Sequence, residues 1–324
     1  MRAVLCKEFG PPSSLVIEEV ADPVPGKGEA LVRIEAAGLN FFDTLIIKDM
    51  YQVKPPLPFS PAAELAGVVE SIGEGVTDLA PGDRVVGTVA YGACAEKAVV
   101  PAQGLIKLPD SVAAEQAAGL MVTYGTTYHA YKDRADLKPG ETVAVLGAAG
   151  GIGQSAVELA KIMGARVIAC ASSEEKLAFC RECGADETIN YTNEDLKARL
   201  RELSGGKGVD VVYDPVGGDY TEAALRSTGW GGRFLVIGFA AGKIPKIPLN
   251  LPLLKGSSLV GVFWGTWTRM DPAGHRANVG QLLEWVADGS LKPHIYGTYS
   301  LDDMPKALQE IADRKVMGKV IITP

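Results

Sequence analysis

The spacing of hydrophobic residues divides the chain into two parts with different rhythms. From residue 1 to about 120, short runs rich in Val, Ile and Leu alternate with turns that contain Pro, Gly and Asp. This pattern is typical of strands joined by short loops. The runs LVIEEV, ALVRIEAAG and DRVVGTV are examples. This part is therefore predicted to form an antiparallel, barrel-like, β-rich domain.

After Ser111 the chain alternates between strands and amphipathic helices, as in TVAVLG, GQSAVELAKIMG and ARVIACA. Such alternation predicts right-handed crossovers and a doubly wound parallel sheet. The tail beyond ANVGQLLEWVADGS does not continue this rhythm and is expected to return to the first domain. The predicted class is α/β, with a β-rich domain at 1–122 completed by 292–324 and an inserted domain at 123–291. The cleft between two such domains is the default ligand site.

Composition and charge exclude several classes of protein. The 324 residues suit two domains, and 47% hydrophobic with 22% charged residues excludes a disordered chain. The net charge of −7 would repel the phosphates of a nucleic acid unless a basic patch overrode it. The densest basic stretch, 197–201, has the pattern of a solvated amphipathic helix. Binding of nucleic acid is therefore not expected.

Cysteine usage and the absence of apolar segments as long as a membrane span predict a cytoplasmic protein. The five cysteines are odd in number and scattered, which does not suit a disulfide framework. The start, MRAVLCKEFG, has no signal-peptide core, and no apolar run approaches the length of a membrane span. Neither export nor a membrane partner is expected.

The strongest motif is the turn GAAGGIG at 147–153, which ends a Val-rich strand and opens an amphipathic helix. Here Gly150 and Gly151 would let the backbone approach a diphosphate, and Gly153 would let the helix pack against the sheet. The helix N-terminus would offer unpaired N–H groups and a positive dipole end to the phosphates. An ordinary tight turn is the alternative. Cofactor contacts are expected at Ala149, Gly150, Gly151, Ile152 and Gly153.

The end of the second strand indicates NADPH rather than NADH as the dinucleotide. A carboxylate there would bind the ribose 2′-hydroxyl of NAD, but the chain has Ser172, Ser173 and, one turn later, Lys176. Two hydroxyls and an ammonium suit a phosphate monoester. The alternative for Ser172 is a helix cap. Tyr191, after the third strand, is expected near the adenine or its phosphate, or else is a packing aromatic.

Two long composite motifs carry a resemblance to a known family. ELAG at 64–67, followed by Gly73, Val76 and GDRV at 82–85, and the stretch GETVAVLGAAGGIGQSAVELAK, span both halves of the chain. They resemble the quinone oxidoreductase (ζ-crystallin-like) branch of the medium-chain dehydrogenase/reductase superfamily. The sequence departs from that branch at Ala144 and Glu158. The resemblance implies a GroES-like catalytic domain with an inserted Rossmann domain.

The resemblance also implies roles for single residues. It places Asn40 beside the nicotinamide and the substrate, and Thr126 near the nicotinamide carboxamide. Three aromatic residues after late strands are expected beside the nicotinamide, with a core position as the alternative: Phe239, Phe263 and Trp264. A homodimer is implied as well. The apolar run 258–263 would be an edge strand of the inserted sheet, which is usually covered or paired.

No metal site is predicted. A catalytic zinc needs three protein ligands and an open position, and zinc-dependent relatives carry Cys and Gly-His-Glu where this chain has Asn40 and Ala63-Glu64. Their structural zinc needs four clustered cysteines, of which only Cys94 is present. Cys180 and Cys183 fall within a predicted helix without a second ligand pair.

Without a Lewis acid, the expected acceptor is one that spreads the developing charge by conjugation, as a quinone or an α,β-unsaturated carbonyl does. The predicted activity is NADPH-dependent hydride transfer to such an acceptor. Asn40 and Tyr51 are expected to orient its carbonyl, with Tyr51 a candidate proton donor or else a loop-packing aromatic. Three alternatives remain open: a 2-enoyl or acryloyl thioester or enone reductase, an NADPH-gated nucleic-acid-binding or structural protein, and a cofactor-binding protein without turnover.

Overall fold

The computed structural model describes all residues from Met1 to Pro324 in two compact units. The first unit is built from both ends of the chain, Met1–Val122 and Val279–Pro324, and the second is Thr123–Asn278. The chain leaves the second unit between residues 278 and 279, earlier than the position 291 expected from the sequence.

The first unit begins with seven strands and two short α-helices, with 3₁₀ turns at Pro12–Ser14 and Ala102–Gly104. In chain order these elements are β1 (Arg2–Leu5), β2 (Val16–Glu19), β3 (Glu29–Leu39), α1 (Asp43–Ile46), β4 (Glu64–Ile72), β5 (Arg84–Thr88), β6 (Lys97–Pro101), β7 (Leu105–Lys107) and α2 (Ala114–Ala118).

The second unit alternates strands and helices, as predicted, and a π-helical segment at His129–Arg134 follows its first helix. Its elements are α3 (Thr123–Tyr128), β8 (Thr142–Leu146), α4 (Gly151–Ile162), β9 (Arg166–Ala171), α5 (Glu174–Glu182), β10 (Glu187–Asn190), α6 (Leu196–Leu203), β11 (Val209–Asp214), α7 (Tyr220–Arg226), β12 (Thr228–Val236), α8 (Asn250–Lys255), β13 (Ser258–Gly261) and α9 (Trp264–Met270). The chain then returns through α10 (Pro272–Ala287) to β14 (Ile295–Ser300), α11 (Met304–Ala312) and β15 (Lys319–Thr323).

The sheet of the first unit has the order β14-β15-β3-β4-β5-β7, and β6 also pairs with β3. Apart from the parallel pair β14–β15, its strands are antiparallel, which confirms the predicted β-rich domain. The central strand β3 pairs with both β4 and β15. This register places Gly38 opposite Glu64 and Leu39 opposite Val320. Distant parts of the chain therefore meet at the end of β3.

The sheet of the second unit is parallel throughout and has the order β10-β9-β8-β11-β12-β13. This order, 3-2-1-4-5-6, is that of the Rossmann fold, and the predicted fold class is confirmed. Residues 143–146 of the central strand β8 have no exposed surface. Helices on both faces require such a continuous apolar strand.

One predicted helical stretch is broken. The segment SVAAEQAAGLMVTYGTTYHAYKD was expected to be helical, but α2 ends before Gly119 and α3 begins at Thr123. In the interruption the Val122 amide donates to Glu64 Oε2 at 2.7 Å. A buried carboxylate therefore takes the N–H group that would otherwise continue the helix.

None of the helices combines the length and the apolar character needed to cross a bilayer.

Candidate functional site

The glycine turn of the second unit is shaped by close backbone contacts. Gly147 follows β8 with a positive φ of 60°, and the Gly150 amide donates to the Gly147 carbonyl at 3.1 Å. A side chain at Gly153 would collide with the Gly147 carbonyl oxygen and would lie 2.7 Å from Ala148 Cα. The first turn of α4 therefore packs directly on the end of β8, as the sequence predicts for Gly153.

Gly150 has a different environment. A Cβ atom there would meet only the Gly147 carbonyl oxygen, at an ordinary 3.6 Å, and the residue is half-buried. Gly150 is the N-cap of α4 and supplies no side-chain cap, and the first turn carries no acidic residue. The N–H groups of Gly151 and Ile152 therefore have no side-chain acceptor from the cap, and they carry the positive end of the helix dipole. An open cradle of this kind fits a diphosphate.

At the carboxyl end of β9 the structure separates the roles of the two serines. Ser173 is the N-cap of α5 and accepts a hydrogen bond from the Lys176 amide at 3.4 Å, whereas Ser172 is exposed. The capping alternative considered for Ser172 thus belongs to Ser173. Lys176 lies half-buried in the first turn of α5. No carboxylate occupies position 172, where one would repel a 2′-phosphate.

Tyr191 follows β10 and packs against Tyr220, with ring centroids 4.3 Å apart. The neighbouring Thr192 hydroxyl donates to the Ser172 carbonyl at 3.2 Å. Tyr191 therefore has the contacts of a packing aromatic, and its loop borders Ser172.

The remaining residues assigned to the second unit have unequal environments. Thr126 is buried on α3. Trp264 is 8% exposed and packs edge-on against His275 at 5.4 Å, so the core alternative holds for this ring. Phe239 and Phe263 are 39% and 62% exposed, so the core alternative is wrong for both.

In the first unit, Asn40 follows β3 and its side-chain amide is held by two buried charges. Nδ2 donates to Glu64 Oε1 at 2.8 Å, and Oδ1 accepts from Lys319 Nζ at 3.0 Å. Lys319 also donates to the Leu39 carbonyl at 2.8 Å. The amide orientation is therefore fixed by the residues around it.

Asp43, in the first turn of α1, is the second buried carboxylate near Asn40. It accepts hydrogen bonds from the Asn40 amide at 2.7 Å and from the Ala62 amide at 3.2 Å. Burial raises the pKa of Asp43 to about 7, although these hydrogen bonds and Lys319 act in the opposite direction. Asp43 thus holds the backbone of Asn40 as Glu64 and Lys319 hold its side chain.

Sequence reasoning assigned no role to Asp43 or Lys319. For Asp43 a signal existed, since an Asp three residues after the first residue beyond a strand is well placed to accept from the backbone N–H of that residue. For Lys319 there was none, because a lysine at the start of a strand is usually solvated.

Tyr51 is half-buried and stacks on Phe42, with ring centroids 5.2 Å apart. Burial raises the pKa of the Tyr51 hydroxyl, and the Asp43 carboxylate raises it further. The hydroxyl is therefore protonated at neutral pH and able to donate.

No three His, Cys, Asp or Glu side chains of the chain are arranged to hold a metal ion. Cys180 is buried on α5, and its burial raises the thiol pKa to about 12. Burial also raises the pKa of the Cys183 thiol. Both groups are thus held in the thiol form.

Comparison with known proteins finds relatives that align with nearly the whole chain. Residues 26–110 match the family described as the alcohol dehydrogenase GroES-like domain, and residues 151–286 match the family described as zinc-binding dehydrogenase. A quinone oxidoreductase-like protein 2 homolog from Nematostella vectensis is 42% identical over 99% of this chain and 88% of its own. A quinone oxidoreductase from Pseudomonas aeruginosa is 34% identical over 98% and 97%.

Solved structures give the same result. The quinone oxidoreductase of Escherichia coli, in complex with NADPH, is 30% identical and superimposes with a TM-score of 0.94 over the full length of both chains. That of Pseudomonas syringae pv. tomato is 35% identical, with a TM-score of 0.93 over 100% of this chain and 99% of its own.

Proposed function

Because the chain belongs to the quinone oxidoreductase branch of the medium-chain dehydrogenase/reductase superfamily, we propose that it transfers hydride from NADPH to a quinone or a related conjugated carbonyl without a metal ion. The observation that carries the proposal is the open cradle at Gly150, where an uncapped helix N-terminus meets a position without a side chain. NADPH, when bound, supplies the hydride from C4 of its nicotinamide.

Different residues of the chain would bind different parts of NADPH. The N–H groups at Gly151 and Ile152 would bind the diphosphate, and Ala149 would line the turn before them. The exposed Ser172 and the cation of Lys176 would bind the 2′-phosphate, which favours NADPH over NADH. Residues assigned to the nicotinamide by the family resemblance are Thr126, Phe239, Phe263 and Trp264. Of these, Trp264 acts by packing.

Asn40 would orient the acceptor. A side-chain amide carries two N–H groups, and Glu64 accepts from Nδ2 of Asn40 at 2.8 Å. The second N–H remains for a carbonyl oxygen, and the bond from Lys319 keeps the amide from turning over. A modest donor of this kind suffices when conjugation spreads the charge. Tyr51, held in its protonated form, is the candidate source of the proton.

The donor set of the first unit supports a reaction that does not use metal. Where zinc-dependent relatives carry Cys and His ligands, this chain has Asn40 and Ala63. The neighbouring Glu64 carboxylate is already bound by Asn40, Lys319 and the Val122 amide. Its negative charge is balanced by the Lys319 ammonium.

Replacement of Asn40 tests the proposal. In the Asn40→Ala variant, quinone turnover should fall about 100-fold, since one preorganised donor is lost, while NADPH affinity measured by fluorescence titration stays within about twofold. The exposed Asn250→Ala variant is the control. Unchanged turnover in Asn40→Ala would remove this residue from the mechanism.

A panel of acceptors tests the substrate class. Initial rates of NADPH oxidation with quinones, simple enones and 2-enoyl thioesters should be highest with quinones. Higher kcat/KM for a thioester would assign the chain to the reductases of the same fold.

We also propose a homodimer through the edge of the parallel sheet. The edge strand β13 has no partner on its outer side, and its Leu259 is 40% exposed. Unpaired apolar edges are normally covered by another chain. Light scattering should give twice the chain mass of 34.1 kDa, and a Leu259→Lys variant should shift towards the monomer. A wild-type monomer would refute the dimer.

A further inference from the structure

The second unit contains a cavity of about 420 Å³ that is not part of the glycine turn. It is lined by residues from α6, from the loop before β11, from the end of α7, from α8 and from the beginning of β12. The glycine turn follows the carboxyl end of β8, which is parallel to β11. The cavity therefore lies at the opposite, amino edge of the sheet. Its volume falls within the range of small-molecule sites, roughly 300–1,000 Å³.

The cavity is strongly cationic. It is lined by no carboxylate and by five cationic residues: Lys197, Arg201, Lys207, Arg226 and Lys255. These cations come from separate segments of the chain, so no basic patch is visible in the sequence. The stretch 197–201 lies on the amphipathic helix that the sequence predicts, with Leu200 buried, and its exposed Lys197 and Arg201 also line the cavity. In a chain of net charge −7, five cations around one concave surface require an explanation.

Helix dipoles account for part of the arrangement. Arg201, Arg226 and Lys255 each lie in the last turn of a helix, where a cation interacts favourably with the negative dipole end. Lys197 near the start of α6 and Lys207 in the following loop have no such role. Dipole compensation therefore explains three of the cations but not all five.

The donors are held in place and not all of them are used. Lys255 Nζ donates to the carbonyl oxygens of Arg226 at 2.6 Å and Thr228 at 2.7 Å. The third N–H of its ammonium group remains available to a ligand. Arg226 binds one carboxylate oxygen, on Glu222, at 2.7 Å. Burial lowers the pKa of Lys255, and Arg201, Lys197 and Arg226 lower it further. The positive charges thus repel one another, and an anion would relieve that repulsion.

The cavity also has an aromatic part. The indole of Trp230 is 85% exposed at its rim, and Leu254 beside it is 68% exposed. An exposed indole next to cations can stack on a planar ring while the cations bind charge. Pairing of this surface with its own copy would bring five cations against five, which disfavours a symmetric self-contact there.

We propose that this cavity binds a small organic polyphosphate that carries a planar ring system, such as a nucleoside di- or triphosphate. The phosphates would be held by the five cations, with Arg201 and Arg226 offering paired N–H groups, and the ring would stack on Trp230. The five cations surround one cavity of about 420 Å³, which favours a small molecule over a polymer, since a polymer would need a longer track of cations. The site is separate from the one proposed for NADPH.

Calorimetry with ATP as the probe tests the proposal. The protein is first loaded with one equivalent of NADPH, so that the tighter dinucleotide site is filled, and ATP is then titrated. One equivalent of ATP should bind. The Arg201→Gln/Lys207→Gln double variant should bind it at least about tenfold more weakly. The matched control, Lys27→Gln/Lys54→Gln, removes two exposed cations of the first unit and should leave ATP affinity within about twofold.

Inorganic pyrophosphate separates the two parts of the ligand. Trp230→Ala should weaken the binding of ATP but leave the binding of pyrophosphate unchanged. An equal effect on the affinity for both ligands, or no effect on either, would overturn the stacking role. Absence of ATP binding at about 1 mM, or binding insensitive to Arg201→Gln/Lys207→Gln, would overturn the site itself. A short single-stranded RNA that bound through the same cations more tightly than ATP would overturn the assignment to a small molecule. Because NADPH binding is measured in the first step, failure there remains distinguishable from failure of this site.

Discussion

Lys319 and Glu64 are 255 residues apart in the chain, yet their charged groups lie 2.6 Å apart in the interior of the first unit. Their side chains are 2% and 0% exposed. Each polar atom of the pair has a further partner, because Lys319 also donates to the Leu39 carbonyl and to Asn40, and Glu64 also accepts from Asn40 and the Val122 amide. The pair therefore connects four segments of the fold, namely β4, β15, the end of β3 and the segment before α3, at the residue proposed to orient the acceptor.

Removal of one charge of this pair should be costly. In Lys319→Met the Glu64 carboxylate is left buried without a counter-charge, and the free energy of unfolding should fall by about 3–5 kcal/mol. Urea denaturation followed by circular dichroism measures this free energy of unfolding. Lys315→Met, at an exposed lysine, is the control and should change stability by less than about 0.5 kcal/mol. The double variant Lys319→Met/Glu64→Gln should recover part of the loss, and a Lys319→Met protein as stable as wild type would contradict the structure.

The raised pKa of Asp43 predicts a pH dependence of stability. Burial raises this pKa to about 7, whereas an Asp in the unfolded chain has a pKa of about 3.9. Between these values the native state holds a proton that the unfolded state has lost, so the stability contributed by this group falls as pH rises towards 7.

The Asp43→Asn variant has no titrating carboxyl group at this position. The free energy of unfolding of the wild type minus that of Asp43→Asn should therefore decrease by up to about 1.4 kcal/mol per pH unit between about pH 4 and 7, and then level off. Denaturation at several pH values measures the difference. Asp110→Asn, at a fully exposed position, serves as the comparison and should show a nearly constant difference. A constant difference for Asp43→Asn would mean that its carboxyl titrates alike in both states.

Two glycines of the same turn should respond differently to alanine. At Gly150 a Cβ has room, so Gly150→Ala should leave stability within about 1 kcal/mol. The methyl group would nevertheless occupy the cradle and weaken NADPH binding about tenfold or more. At Gly153 the Cβ meets backbone, so Gly153→Ala should reduce stability as well as affinity. Thermal unfolding and NADPH titration of both variants test the distinction, and full NADPH affinity in Gly150→Ala would argue that no diphosphate lies there.

Ser172 should control the choice between the two dinucleotides. A carboxylate at this exposed position would repel a 2′-phosphate but accept a hydrogen bond from a 2′-hydroxyl. Ser172→Asp is therefore expected to weaken NADPH binding about tenfold or more, while the affinity for NADH is unchanged or improved. Ser13→Asp adds the same charge at an exposed position of the first unit and should affect neither. Equal loss of both dinucleotides in Ser172→Asp would indicate a general disturbance of the β9–α5 turn.

The segment 111–133 shows where local pattern and tertiary contact disagree. Its residues favour a helix, and most of them are helical, but Glu64 captures the Val122 amide and the helix is interrupted. The same carboxylate fixes Asn40. A contact between β4 and this segment cannot be seen in the local sequence of either one.

The sequence by itself determined the properties that depend on neighbouring residues. Hydrophobic periodicity distinguished the antiparallel from the parallel sheet, and the glycine spacing located the strand-to-helix turn, because both follow from backbone geometry over a few residues. The tertiary structure alone decided which charges meet. The pairing of β3 with β4 and β15 brings Lys319 to Glu64, and three helices with the loop after α6 bring five cations to one cavity. Electrostatic interaction depends on distance in space and on burial, and neither is encoded in the local pattern of the chain.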